Sequence, residues 1–175
     1  MGSADSAVSY DITAMAIQSL APYSSRTNVK TAVDNALTWM STNHSRLIAD
    51  SSEAISQTIV ALTELGIDPT LGTRFIQNGK NLLDSLIDYK AGTGFAHEQG
   101  GNENDMATEQ AAYALVSYER LVNDKKALYD MSDVAFIDPL DEKANLKAAI
   151  ASAEGLVEAD YTTESWQMLS ATLMR

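Results

Sequence analysis

The chain contains no cysteine, which excludes disulfides, thiolate zinc sites and cysteine nucleophiles outright. Cations are few: 12 Lys and Arg stand against 24 Asp and Glu, a net charge of -12, and the basic residues are scattered rather than clustered. Such a balance argues against nucleic acid and anionic membrane surfaces as partners. An acidic surface by itself more often means solubility than a ligand. No apolar run approaches the roughly 20 residues of a membrane span, and no basic segment followed by an apolar one precedes Tyr10, so no membrane insertion is expected. Proline occurs three times, and Pro22, Pro69 and Pro139 each fall at a break in the helical pattern. Residues 1–8, beginning Met1-Gly2-Ser3, read as an added and disordered start. The chain is therefore expected to be a piece of a longer protein.

A helical repeat fills most of what remains. Thr13-Ala-Met-Ala-Ile-Gln-Ser-Leu20, Ile55-Ser-Gln-Thr-Ile-Val-Ala-Leu62 and Thr108-Glu-Gln-Ala-Ala-Tyr-Ala-Leu115 align on Leu20, Leu62 and Leu115, at spacings of 42 and 53 residues. A second amphipathic helix follows each of the first two copies. Hairpins of this kind bury their apolar faces only by stacking on their neighbours. The fold class expected is all-α.

The first helix is predicted over residues 9–21, with Ile12, Met15, Ala16, Ser19 and Leu20 on one face. Asn28 is placed to cap a second helix with the stripe Val29, Ala32, Val33, Ala36, Leu37 and Met40. Their short connection makes the pair antiparallel. Ser51 or Ser52 caps a third helix, with Ile55, Ile59, Leu62 and Leu65 inside and Glu53 and Glu64 on its polar side. Gly66 ends it in a left-handed conformation and Asp68-Pro69 turns the chain. A fourth helix is predicted over residues 73–89, through Phe75, Ile76, Leu82, Leu83, Leu86 and Ile87. Residues 90–102 then form a loop with four glycines, dense enough to turn tightly against another surface. A fifth helix over residues 105–122 places Ala112, Leu115, Val116 and Leu121 for burial, and residues 128–134 close the region. Phe136-Ile137-Asp138-Pro139 marks a boundary, with Asp138 capping a sixth helix whose stripe is Leu146, Ile150, Ala153 and Val157. Thr162 or Thr163 starts a last helix through Trp166, Leu169 and Leu173.

Tyr10-Asp-Ile-Thr-Ala-Met-Ala-Ile-Gln-Ser-Leu-Ala-Pro-Tyr23, Gln57-Thr-Ile-Val-Ala-Leu-Thr-Glu-Leu-Gly-Ile-Asp68, Gly94-Phe-Ala-His97 and Met106-Ala-Thr-Glu-Gln-Ala-Ala-Tyr-Ala-Leu115 resemble the prenyltransferase and squalene-cyclase repeats of Gram-positive cell-surface proteins. The resemblance spans residues 9–134 and implies a partial α/α toroid of the terpenoid-cyclase and protein-prenyltransferase kind. Inner helices line a cavity in that fold, outer helices surround them, and Gly-rich loops join outer to inner. The helices near Ser9, Ser52 and Asp105 would be inner, and those near Asn28 and Thr73 outer. Leu146-Lys-Ala-Ala-Ile-Ala-Ser-Ala-Glu154 and Asp160-Tyr-Thr-Thr-Glu-Ser-Trp166 are similar to the FIVAR module, a small three-helix bundle of extracellular bacterial proteins, present here only in part over residues 135–175. Both resemblances imply a secreted or cell-surface protein whose signal and anchor lie elsewhere. About two and a half hairpins stand where a closed toroid takes five or six. An open arc with exposed apolar edges is expected, and with it self-association.

Cyclases of the toroid fold protonate their substrate with an Asp-x-Asp-Asp motif. It is absent, Asp130-Met-Ser-Asp133 being the nearest spacing. The zinc site of the prenyltransferases includes a cysteine thiolate, which this chain lacks. No catalytic residue, metal or cofactor is therefore assigned. His44 and His97 have no carboxylate at ligand spacing and read as loop packing or exposed groups. Asn102-Glu-Asn-Asp105 lacks the alternation of a calcium loop and reads as a helix cap. The resemblance puts Phe95, His97, Glu109, Gln110, Tyr113 and Gln57 at the rim of the cavity as ligand-binding candidates, with Met15 equivalent to Gln57 and Gln110. The alternative is that Glu109 and Gln110 bond a neighbouring helix end. The expected function is a non-catalytic interaction module that binds a protein, a glycan or a small molecule. Two alternatives stand beside it: a small-molecule site, of corrinoid type since the transcobalamin fold shares the toroid, and a fragment of a terpene-cyclase-like enzyme whose acidic motif lies outside this chain.

Overall fold

Helix α4 (Ser52–Glu64) has almost no solvent face: every residue from Ser52 to Thr63 is buried. A helix enclosed on all sides has to sit in the middle of a layer, and α1 (Tyr10–Leu20) and α6 (Asp105–Val122) flank it on either side. The structure, a computed structural model, describes residues 8–135, 139–160 and 162–173. Those residues are mostly helical and divide into two units, residues 1–133 and 134–175.

In the first unit, α1 runs into a 3-10 turn (Ala21–Tyr23) and returns as α2 (Thr27–Thr42). Tyr10 stacks on Trp39 of α2, with ring centroids 4.9 Å apart. Two short helices, α3 (His44–Asp50) and α5 (Leu82–Ile87), pack on α4. The shared core includes Ile17, Leu37, Met40, Leu47, Ile55, Ile59, Leu82 and Leu86. On α6, the fully buried Ala107, Ala111 and Ala114 leave room for its backbone to approach α4, and the hydroxyls of Thr63 and Ser117 bond across the buried seam.

The ends of α4 follow from local chemistry. Ser51 Oγ accepts the Ala54 N–H at 3.1 Å, satisfying one of the free donors of the first turn. At the other end Gly66 has φ +70°, the Gly66 N–H reaches Thr63 O and the Ile67 N–H reaches Leu62 O, both at 2.9 Å. This double closure needs a left-handed residue, which glycine adopts without strain. Asp68 Oδ1 then accepts the Thr70 N–H at 2.8 Å and fixes the turn that follows.

Several predicted elements are corrected. The fourth helix does not run from residue 73 to 89: only Leu82–Ile87 is helical. Asn78 and Gly79 both take positive φ, Gln77 and Lys80 pair as an isolated bridge, and a reciprocal capping box between Asn81 and Asp84 starts the helix afresh. Phe75 is buried all the same, while Ile76 and Ile87 are exposed. Helix α3 was not predicted. The buried stripe of α1 is Tyr10, Ala14, Ile17 and Gln18, so Ile12 and Met15 fall outside it, 62% and 48% exposed. On α6 the small residues face inward, Ala112, Leu115 and Val116 are exposed, and Leu121 is half-buried. Both helices have two apolar stripes; on α6 close approach to α4 selects the one lined with small side chains, whereas α1 buries Tyr10 and Ile17 along with Ala14.

The glycine loop contains a hairpin, β1 (Lys90–Ala91) against β2 (Gly94–Phe95), with Lys90 opposite Phe95 and Ala91 opposite Gly94. It lies so close to α6 that a Cβ on Gly94 would collide with Thr108 Oγ1. Glu103 holds the hairpin from below, accepting the Thr93 N–H at 3.2 Å and its hydroxyl at 2.9 Å. Asn104 caps α6 through the Ala107 N–H at 3.0 Å. Past α6, the Arg120 side chain ties back the closing segment: Nε donates to Lys126 O at 2.7 Å and the guanidinium pairs with Asp133.

The second unit has α7 (Pro139–Glu154), a 3-10 turn (Glu158–Asp160) and α8 (Thr163–Leu173). Thr162 caps α8 by accepting the Ser165 N–H at 3.3 Å. Leu146, Ile150 and Val157 of the predicted stripe are exposed. Residues 1–7 of the start expected over 1–8, the boundary residues Phe136 and Ile137, the Asp138 cap, and the side chains of Leu169 and Leu173 lie outside the described residues. Among those described, no helix is long and apolar enough to cross a membrane.

Candidate functional site

Glu53, Gln57 and Glu64 are spaced four and seven residues apart, which puts them on one face of α4. Gln57 is the hub. Its Nε2 donates to Gln110 Oε1 at 3.1 Å and to the Tyr113 hydroxyl, both on α6. From α1, Gln18 Nε2 donates to Gln57 Oε1 at 2.8 Å and to the Gln57 carbonyl at 2.9 Å. Tyr129, in the closing segment, donates its hydroxyl to Gln18 Oε1 at 3.3 Å. A continuous chain of neutral amides and phenols thus joins three helices and the segment that follows them.

Burial sets the electrostatics of this chain. Gln18 and Gln57 are buried and Gln110 and Tyr113 half-buried, whereas Tyr129 is 64% exposed. Removal from water pushes the Tyr113 phenol up to about 12, with Tyr129, Glu109 and Glu53 adding to the rise. It therefore stays protonated and acts as a hydrogen-bonding group at physiological pH. Burial likewise raises Tyr129, helped by Glu64 and Glu109. Glu64 is raised by burial, against the opposing effect of the Tyr129 and Leu128 backbone N–H groups.

One turn before Gln57, Glu53 engages the glycine loop. His97 Nδ1 lies 3.0 Å from Glu53 Oε2, Ser52 Oγ donates to the same oxygen at 3.2 Å, and the Ser52 N–H donates to His97 O at 3.2 Å. The Glu53 hydrogen bond, then its charge, raise the His97 pKa. Ser52 bonds the carboxylate rather than the imidazole, so these three groups do not form a nucleophile relay.

Two clefts adjoin the network, both lined in part by Tyr129 and Pro22. One of about 380 Å³ is lined by Ala21, Pro22, Glu64, Ala127, Tyr129 and Asp130. The other, about 330 Å³, is lined by Met15, Gln18, Ser19, Pro22 and Tyr129. Among the described residues no group of three or more His, Asp or Glu is placed to hold a metal ion.

The structure brings together three of the six residues singled out from sequence: Gln57, Gln110 and Tyr113. Glu109 is exposed and makes no hydrogen bond among the described residues. Phe95 is half-buried against the core, its N–H held by Thr108 Oγ1 at 2.9 Å. His97 belongs to Glu53, not to the glutamine chain. Gln110 bonds a side chain of α4 rather than a helix end. Gln18, Tyr129 and Glu53 were missed. Gln18 replaces Met15 as the α1 partner of Gln57, a displacement of nearly one turn. The spacing of Tyr10, Ala14, Ile17 and Ala21 carried the signal, since Gln18 lies on the face they share. His44, the other histidine, is buried, with Nδ1 3.2 Å from Gln77 Oε1 and with no partner for Nε2 among the described residues.

Compared with known proteins, the chain matches no family model, no curated protein and no solved structure.

Proposed function

We propose that this chain is a non-catalytic binding module of a secreted or cell-surface bacterial protein, with α1, α4 and α6 as the inner helices of a partial α/α toroid and residues 135–175 as a partial FIVAR-like module. The observation that carries the reading is the Gln18–Gln57–Gln110/Tyr113 network on the face common to the three helices. Neutral amides and a phenol held protonated orient a ligand by hydrogen bonds. They supply neither a nucleophile nor an acid and base of separated pKa. The exposed Ile12 and Met15 on α1 and Leu115 and Val116 on α6 support self-association through apolar edges.

The test is retention without turnover. Immobilised protein is exposed to pools of peptides, oligosaccharides and corrinoids, and the eluate is analysed by mass spectrometry. A retained, chemically unchanged ligand supports the proposal. A ligand released as a changed product, with the change abolished by Glu53→Gln or His97→Ala, sinks it. The clefts beside Tyr129 favour a second reading, capture of a small molecule, because their volumes fall in the range of small-ligand sites. The same elution decides between them.

A further inference from the structure

Donors and acceptors in the network all run one way. The Tyr129 hydroxyl donates to Gln18 Oε1, Gln18 Nε2 to Gln57 Oε1, and Gln57 Nε2 to Gln110 Oε1. The chain therefore ends on the amide N–H groups of half-buried Gln110. Beside them is the hydroxyl of Tyr113, which accepts from Gln57 and keeps its own proton to donate. Two donors at the end of a head-to-tail amide chain are met by an acceptor. A neutral carbonyl oxygen suits the place, because Glu109 is adjacent and the protein's net charge of -12 opposes an anion.

The other end of the face has the opposite character. Glu64 lines the 380 Å³ cleft with Asp130, Pro22 and the exposed ring of Tyr129. Its carboxylate accepts the Tyr129 N–H at 3.1 Å and has no ion pair among the described residues. The cation on Asp130 is Lys126, solvent-exposed and 3.9 Å away, a distance at which a surface pair holds little. Carboxylates beside an aromatic face and a proline recognise a guanidinium or ammonium group carried on an apolar stem.

We infer that this face takes an extended peptide segment with a basic side chain, one of its main-chain carbonyls on Gln110 and Tyr113 and its cation between Glu64 and Tyr129. The spacing agrees: Gln57 and Glu64 are two turns apart, about 10 Å along α4, a span an extended peptide covers in about three residues. The inference rests on the reading of the chain as a binding module and names its ligand.

The probes are two fluorescently labelled, end-capped octapeptides of alternating serine and alanine, one with a single central arginine and the other with glutamate in its place. Fluorescence anisotropy at low salt is expected to give saturable binding of the arginine peptide, at least about tenfold tighter than the glutamate peptide. Glu64→Gln should erase most of that preference, Tyr129→Leu should weaken the arginine peptide, and Gln110→Ala should weaken both, with thermal melts confirming that each variant folds. Equal binding of the two peptides, an undiminished preference in Glu64→Gln, or no binding of either overturns the inference. A neutral oligosaccharide retained where neither peptide binds does so too, yet leaves the binding-module reading standing. Retention of no ligand class removes both.

Discussion

Gln57 Nε2 donates to Gln110 Oε1 at 3.1 Å across the seam between α4 and α6, joining residues 53 positions apart in the chain. The bond exists because alanines at 107, 111 and 114 let the two helices approach closely enough for amide side chains to meet. The same residue takes up Gln18 from the other side. One buried glutamine thus ties together the three helices of the layer, and an unpaired buried amide is what each partner avoids by joining it.

Gln57→Leu is expected to destabilise the first unit by about 1–3 kcal/mol, because it removes one of the three hydrogen bonds of the Gln18 amide, itself only 6% exposed, together with those to Gln110 and Tyr113. Urea denaturation followed by circular dichroism measures this. An unchanged midpoint would mean that the network contributes nothing to stability.

Ala111→Leu is expected to be destabilising by about 1–3 kcal/mol through overpacking, since Ala111 is fully buried on the helix face against α4. Ala112→Leu, one position on and exposed, should be nearly neutral. Equal melting temperatures for the two variants would contradict the face assigned to α6.

The His97 pKa is raised by its hydrogen bond to Glu53 and by that carboxylate's charge. The folded state therefore holds the proton longer than the unfolded chain. The stabilising contribution is complete below the ordinary value of 6.5 and is lost as pH rises through the folded value. With the imidazole 57% exposed, solvent screening keeps the effect below about 1 kcal/mol. An NMR titration should show the His97 resonance moving back toward 6.5 in Glu53→Gln. A titration curve that ignores this substitution would rule the coupling out.

Self-association is expected to depend on the free stripe of α1. Sedimentation velocity over a range of concentrations should show reversible growth in mass. Replacing Ile12 and Met15, 62% and 48% exposed, with serine should abolish it. Because these side chains are exposed, melting of the variant should stay close to that of the parent. A monomer at every concentration is the result that excludes the interface.

Helix existence was legible wherever capping and periodicity agreed. Ser51, Asn104, Thr162 and the Gly66 closure each carry their signal within four residues. The predicted helix over residues 73–89 failed where apolar spacing continued through Asn78 and Gly79, whose positive φ breaks the helix without interrupting the hydrophobic pattern. Of the site, Gln57, Gln110 and Tyr113 were legible because the repeat aligns them or sets them one turn apart. Tyr129 was not, since only the fold of the closing segment, anchored by Arg120 on Asp133, carries it back to Gln18.

By itself the sequence determined that this chain forms helices, where most of them start and stop, and that cysteine chemistry is excluded, because caps, glycine stops and composition act locally. Tertiary structure decided which of two apolar stripes on α1 and α6 is buried. Both stripes satisfy the helical period; on α6 only the small side chains of one allow the approach to α4, and on α1 the packing takes Tyr10, Ala14 and Ile17 inward. The same packing put Gln18, rather than Met15, against Gln57. Which groups meet across 39 or 53 residues is a property of helix contact distance, and a single helix does not encode it.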